Sequence, residues 1–407
     1  MILFFLVINL VGLPLLIAEN ALDRKLSSIS LIKWVQLFPG PFSPAVNKFL
    51  WALWWGVRLF ILICLLWFFL YLSGVSLLYM FFFSGSILGF RYNVTDIPPF
   101  PNMEMGLWGS VLWVAFIFFV FGFARKGFCI WVQKWMLPFS FSIFFLIFMK
   151  IILSVNDYDG LKILFYPDFL ALNLESLQLA IGHALICLFV GLGLYQNSFQ
   201  KSEVKDPIEL FIRVVVLNLF LAVLVGVVAL PMIEQASEVP VGSRWLFEVL
   251  PRWLSYGEFS NYYCLLYFFG LLLISFYISL SLIQLVTYNF QRVYSLTSSK
   301  RIFIQLLSTC ISGGLIFSLQ KRLFGWTGQG LFVQIDSLLV DWMMPLLSLL
   351  VLWFVWNYVS RQEQRDVFNQ QQVFFHNHIF FEFWRKTSFY VIPALILLAL
   401  FFGFWAQ

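Results

Sequence analysis

His183 and Cys187 lie four residues apart, on one face of a helix, in an apolar stretch that runs on into "VGLG" with Gly191 and Gly193. The imidazole titrates near neutrality, so His183 is a candidate proton carrier, with an interhelical hydrogen bond as the plainer alternative. Two glycines one residue apart weaken a helix. Unwound backbone inside a bilayer is tolerated only where it lines a protein cavity, and close helix packing is the competing explanation. Asn218, in the middle of "VVVLNLFLAVLVGVVALP", can ligate a hard cation through its carbonyl or bond to a neighbouring helix. Asp341 stands one turn inside another apolar run, as a gate or an interface residue. This chemistry is the binding of ions and small solutes. No nucleophile with a base, no catalytic carboxylate pair and no phosphate loop accompanies it, so the expectation is that the chain is not an enzyme.

The elements that must position these residues are membrane helices. Hydrophobic residues make up 61% of the 407 and charged ones only 11%. A soluble domain carries about a quarter charged residues, and 51 Phe with 17 Trp exceed what one or two soluble cores can hide. Apolar runs of about 20 residues, the length that crosses ~30 Å of hydrocarbon, recur at 1–19, 49–83, 107–124, 130–154, 176–198, 209–233, 259–290, 301–319, 335–359 and 387–406. The expected fold class is therefore an all-α polytopic membrane protein of about 10 transmembrane helices.

Lys and Arg are scattered through short loops and form no basic stripe, which excludes a nucleic-acid partner and leaves the lipid bilayer. Most of them fall on one side, with Arg58 and Lys150 set aside as lying within or near spans. That asymmetry places the chain's start outside and its first loop in the cytoplasm. The first run has no basic region before it and no small-residue cleavage site after it, so it reads as a retained helix. Cys64, Cys129, Cys187, Cys264 and Cys310 are isolated and mostly inside apolar segments, as buried small hydrophobes are. His376 and His378 form an HxH without further ligands, so no metal site is expected there. The stretch 361–386 mixes polar and aromatic residues like an interfacial helix, and 234–258 could form a short helical hairpin lid.

These residues sit in a pattern that resembles the neurotransmitter:sodium symporters, particularly the bacterial amino-acid transporters. "LVGLPLLIAENALDRK" is similar to that family's second-helix "GxPLLxxExALGR", through Gly12, Leu13, Pro14, Glu19, Ala21, Leu22 and Arg24, with Asp23 in place of the glycine. "ARKGFCIWVQKWMLPFSF" resembles the join of the fourth and fifth helices, and "FYPDFLALNLESLQLAIGHALICLFVGLG" the broken sixth. "VLNLFLAVLVGVVALP", "FEVLPRWLS", "SLSLIQ", "LLVDWM" and "WRKTSFYVIPALILL" continue the likeness in order.

The resemblance implies two inverted five-helix repeats. Here they are 1–155, the remainder of the first, and 176–360, followed by a final helix at 387–406. It also implies alternating access, with solute and sodium bound at mid-membrane beside unwound helices. The family's first helix, with its "GNxWRFPY" motif, would lie before Met1, which leaves Asp341, the match to the outer gate acid, without its arginine. By the same matching, Asn218 and Cys187 fall at a sodium site, where a thiol is a poor ligand for a hard ion. Tyr277 and Ile278 replace the eighth helix's hydroxyl pair, and Phe69 replaces a substrate-contacting tyrosine. Phe69, Ile186, Phe189, Gly191, Leu192, Gly193, Tyr277 and Ile278 would line a bulky, dry cavity.

The expectation is a membrane secondary transporter of a hydrophobic amino acid with altered ligands. It would have Na+ as coupling ion, no organic cofactor, a bacterial inner-membrane address and a homodimer as a further partner state. The alternative is a degenerate, non-transporting relative serving as scaffold or partner subunit, or a truncated remnant.

Overall fold

A computed structural model of the chain describes residues 2–27, 44–88, 109–117, 126–154, 173–194, 207–234, 245–254, 259–293, 307, 336–369 and 378–405. Among them, seven helices are long and apolar enough to cross a membrane. The chain is an all-α, multi-pass integral membrane protein.

Helix α1 combines Ile2–Val7, a π-helical turn at Ile8–Gly12 and Leu13–Ser27, and so runs past the expected end at 19. Helix α2, Pro44–Ile87, is unbroken over 44 residues. At 1.5 Å per residue it is roughly 66 Å long, about twice the hydrocarbon thickness, so it tilts or projects beyond the bilayer. A short helix α3, 109–117, crosses α2 where Gly74 and Gly109 let the two backbones touch. Helix α4, Lys126–Ser154, continues through Pro138, whose carbonyl is taken up by Ser142 Oγ at 3.0 Å.

Helix α5, Leu174–Cys187, starts at Asn173. The Asn173 side chain accepts from Ser176 N at 2.7 Å while Ser176 Oγ accepts from Asn173 N, a reciprocal cap that fixes the entry point. Helix α6, Pro207–Glu234, lies at the periphery and exposes Val216, Leu217 and Phe220, as a lipid-facing helix does. Helix α7, Trp245–Val249 and Leu250–Leu254, lies where the lid was expected. Helix α8, Ser260–Val293, packs along α2 in the longest interface of the described chain and also meets α4 and α7. Helix α9 joins a π-helical turn at Leu338–Met343 to Met344–Tyr358.

The expected interfacial helix at 361–386 is two helices. One is α10, Arg361–Asn369; the other, His378–Lys386, runs without interruption through a π-helical turn at Thr387–Val391 into Ile392–Trp405 as α11. The last span therefore begins earlier than its apolar run suggests. Arg361 pairs with Glu382 between the two. The expected spans at 107–124 and 301–319 fall largely outside the described residues.

Two apolar cores result. The larger gathers α1, the first half of α2, α3, α5, α6, the second half of α8, α9, α10 and α11; the smaller gathers the second half of α2, α4, α7 and the first half of α8. Helices α1, α9 and α11 all contact α5.

Candidate functional site

The fifth helix breaks at the motif that predicted it. Leu188 N still donates to Ala184 O, but Phe189 N donates to Ile186 O at 3.1 Å and Val190 N to Leu185 O at 3.1 Å. That pair of bonds closes a helix end in a Schellman motif, which requires a left-handed residue after the cap. The residue is Phe189, at φ 51°, where most helices place glycine. A non-glycine there costs about 1–2 kcal/mol. Gly191 (φ 83°) and Gly193 (φ 72°) continue the turn, and helical geometry resumes at Leu194. At Gly191 a Cβ would also sit 2.7 Å from Leu347 Cγ, so α9 closes over the bare backbone.

Unwinding frees backbone groups that, buried in this apolar core, must find partners inside the protein. Their partners come from α1 and α2. Glu19 accepts Gly191 N at 2.9 Å through Oε2 and Gly193 N at 2.6 Å through Oε1, so one carboxylate holds both glycines. Arg58 Nε donates to Leu192 O at 3.0 Å, and its Nη1 lies 3.9 Å from Asp23 Oδ1. Glu19, Asp23 and Arg58 are 4%, 6% and 4% exposed. Glu19 and Asp23 share one face of α1 by their i, i+4 spacing, and that face meets the Arg58 side of α2. Arg58 lies against Gly193, where any side chain would collide with the guanidinium. Arg58 Nη2 and Asn20 Nδ2 are buried without a hydrogen-bond acceptor among the described residues.

The residues singled out from sequence distribute around this break. Gly191, Leu192 and Gly193 are in it, and Leu192 is fully buried. Ile186, Phe189, Phe69 and Ile278 are partly buried against the same core, and Phe69 also touches the smaller one. Tyr277 is half-buried on α8, where its carbonyl accepts Ser281 Oγ. Two residues further along that helix, Ser279 Oγ donates to Ser275 O, while the buried Ser275 hydroxyl lacks a partner among the described residues. Cys187 and His183 are exposed on the open face of α5, and His183 Nδ1 lies 3.0 Å from Leu179 O in its own helix. Asn218 is half-buried, and its amide donates to Val214 O one turn back at 2.9 Å.

Asp341 stands where α5 and α9 cross, at a contact close enough that a Cβ on Gly182 would run into the Val340 carbonyl. Ser337 Oγ donates to Asp341 Oδ2 at 2.6 Å, and Gln178 Nε2 reaches the Asp341 carbonyl at 3.4 Å. Asp341 Oδ1 is buried without a partner among the described residues. Before the span, burial raises the carboxyl of Asp336 above its ordinary range; nearby His183 opposes the shift and Asp341 adds to it.

In the sequence Arg58 is a charge within or near a span, set aside from the count, and Glu19 is one position in a motif. Their signal was electrostatic: two acids one turn apart near the end of one apolar run, and a lone base inside the next.

No family model matches the chain. The chain is 24% identical over 420 residues to the uncharacterized sodium-dependent transporter YhdH of Bacillus subtilis (strain 168), covering 97% of this chain and 87% of that protein. It also matches the crystal structure of MhsT in complex with L-phenylalanine at a TM-score of 0.72 and 16% identity, over 98% of this chain and 90% of that one. MhsT is a neurotransmitter:sodium symporter. The chain thus has the neurotransmitter:sodium symporter fold, and the resemblance to that family read in its sequence extends over nearly its whole length.

Proposed function

We propose that the chain is a sodium-coupled secondary transporter of a hydrophobic amino acid, working by alternating access between two inverted repeats at 1–155 and 176–360. The observation that carries this reading is the break in α5, whose bare glycines are held from α1 by Glu19. A broken helix inside a membrane protein places backbone beside a solute or ion, and the clamp from α1 holds that backbone in one shape. Collinearity with a sodium-dependent transporter supports the coupling ion, and the phenylalanine bound to MhsT supports an apolar amino acid.

In this reading Phe69, Ile186, Phe189, Tyr277 and Ile278 enclose the solute's side chain, and Gly191, Leu192 and Gly193, clamped by Glu19 and Arg58, form the backbone wall of the cavity. Asn218 and Cys187 face the ion, Asp341 gates the outer mouth, and His183 carries a proton where protons share the coupling. The address is a bacterial inner membrane, where two copies form a dimer.

Uptake of labelled phenylalanine, leucine and tryptophan into proteoliposomes, with sodium or choline outside, tests the proposal. Sodium-driven accumulation of at least one is expected, and Asn218→Ala should raise the sodium concentration for half-maximal uptake by about tenfold, the loss of ~1.4 kcal/mol of cation binding. Absence of both binding and uptake in protein shown to be folded would overturn it.

A further inference from the structure

The carbonyl of Leu192 is released by the break in α5, and the same buried cluster holds the carboxylates of Glu19, bonded to the amides on either side of it, and Asp23, beside the Arg58 guanidinium. A bare carbonyl beside carboxylates is the donor set that a hard cation selects. The place is already filled. The guanidinium of Arg58 gives its Nε proton to the Leu192 carbonyl, holds Nη1 within ion-pair distance of Asp23, and occupies the space beside Gly193 that a side chain would need. Asp23 has further contacts, so Arg58 is not its whole environment.

Two details distinguish this arginine from a packing strut. Nη2 is buried yet donates to nothing among the described residues, so the group is placed by charge more than by a complete set of hydrogen bonds. An arginine also stays protonated at any pH the protein meets, so its charge at this position is permanent.

We propose that Arg58 is a resident cation. It serves the unwound segment as a bound inorganic ion would, and holds residues 188–193 in shape without one. The proposal deepens the transporter reading and, for its consequence, rests on it: sodium would couple elsewhere, and this cluster would add no ion to the stoichiometry.

Hydrogen–deuterium exchange of the full chain in nanodiscs, read at the amides of Gly191 and Gly193 in sodium and in choline, tests the proposal. In the unaltered protein the two salts should give the same protection. Arg58→Gln should speed exchange by at least about tenfold in choline, with sodium restoring part of the protection, and Arg58→Lys should stay close to the unaltered protein. Three results would overturn the idea: protection in the unaltered protein that rises with sodium, exchange in Arg58→Gln unchanged from the parent, or lost protection that sodium fails to restore. Where Arg58→Gln does not fold, the comparison of salts in the unaltered protein still decides. Failed uptake with this exchange pattern intact would refute the transporter reading and leave the resident cation standing.

Discussion

The two cores of this molecule are held by different forces. In the smaller one, Tyr79 stacks on Phe268 at 4.7 Å with 8° between the rings, and Phe83 and Phe247 stack on Phe268 in turn. Tyr267 Oη donates to Leu246 O, and Lys150 closes the rim by donating to Leu254 O while lying over the Tyr263 ring. Dispersion, shape and these two hydrogen bonds hold α7 there, and none of them needs a bound ion. The larger core surrounds its broken helix with aliphatic side chains and then places two acids and a base inside them. Breaking such a charge set by removing one member is far more costly than the set is worth whole. One core is a fixed frame, while the other holds its shape only while its charges stay matched.

Glu19→Ala should have the largest effect. It removes the acceptor for two buried N–H groups and leaves Arg58 undercompensated, a loss on the order of 5 kcal/mol. Thermal unfolding in detergent should show a much lower midpoint or no folded protein, and a midpoint near the parent's would place the load elsewhere. Phe268→Ala should come next, at about 3–4 kcal/mol for an aromatic cavity. Its loss of stability should be the same in sodium and choline, and solute affinity in the surviving folded fraction should be unchanged. A salt-dependent loss there would break the contrast between the cores.

Asp336→Asn should have the smallest effect. A carboxyl raised on folding opposes the folded state once pH exceeds its unfolded value, so the asparagine form should gain stability above about pH 4 and lose that advantage below it. Melting curves at pH 3.5 and 7.5 check the sign, and a benefit confined to the lower pH would contradict the assignment.

Much of this was legible in the chain because a bilayer imposes length on helices. The apolar runs found most of the described spans, and "VGLG", which begins three residues after α5 ends, marked the break. The clamp was not legible. Glu19 meets Gly191 and Gly193 across 172 and 174 residues of sequence, and no periodicity reports which distant carbonyl or amide a side chain will reach. Arg58 stands inside its apolar run, and nothing local in the sequence reports its partner, the Leu192 carbonyl 134 residues away. Asn218 illustrates the reverse limit. The polar residue most conspicuous in sequence spends its amide on its own helix.

The π-helical turns in α1, α9 and α11 carry a consequence for how this chain can change over generations. Such a turn holds one residue more than an α-helix needs, while the helix on either side keeps its facing. Losing a single residue within Ile8–Gly12, Leu338–Met343 or Thr387–Val391 would restore regular winding and leave both flanks packed as before. The same loss in the middle of α2 or α8 would swing every later side chain by about 100° and expose the core. Trp245–Val249 in α7 is a further turn of this kind, and the three helices around the break are places where this sequence can shorten and still fold.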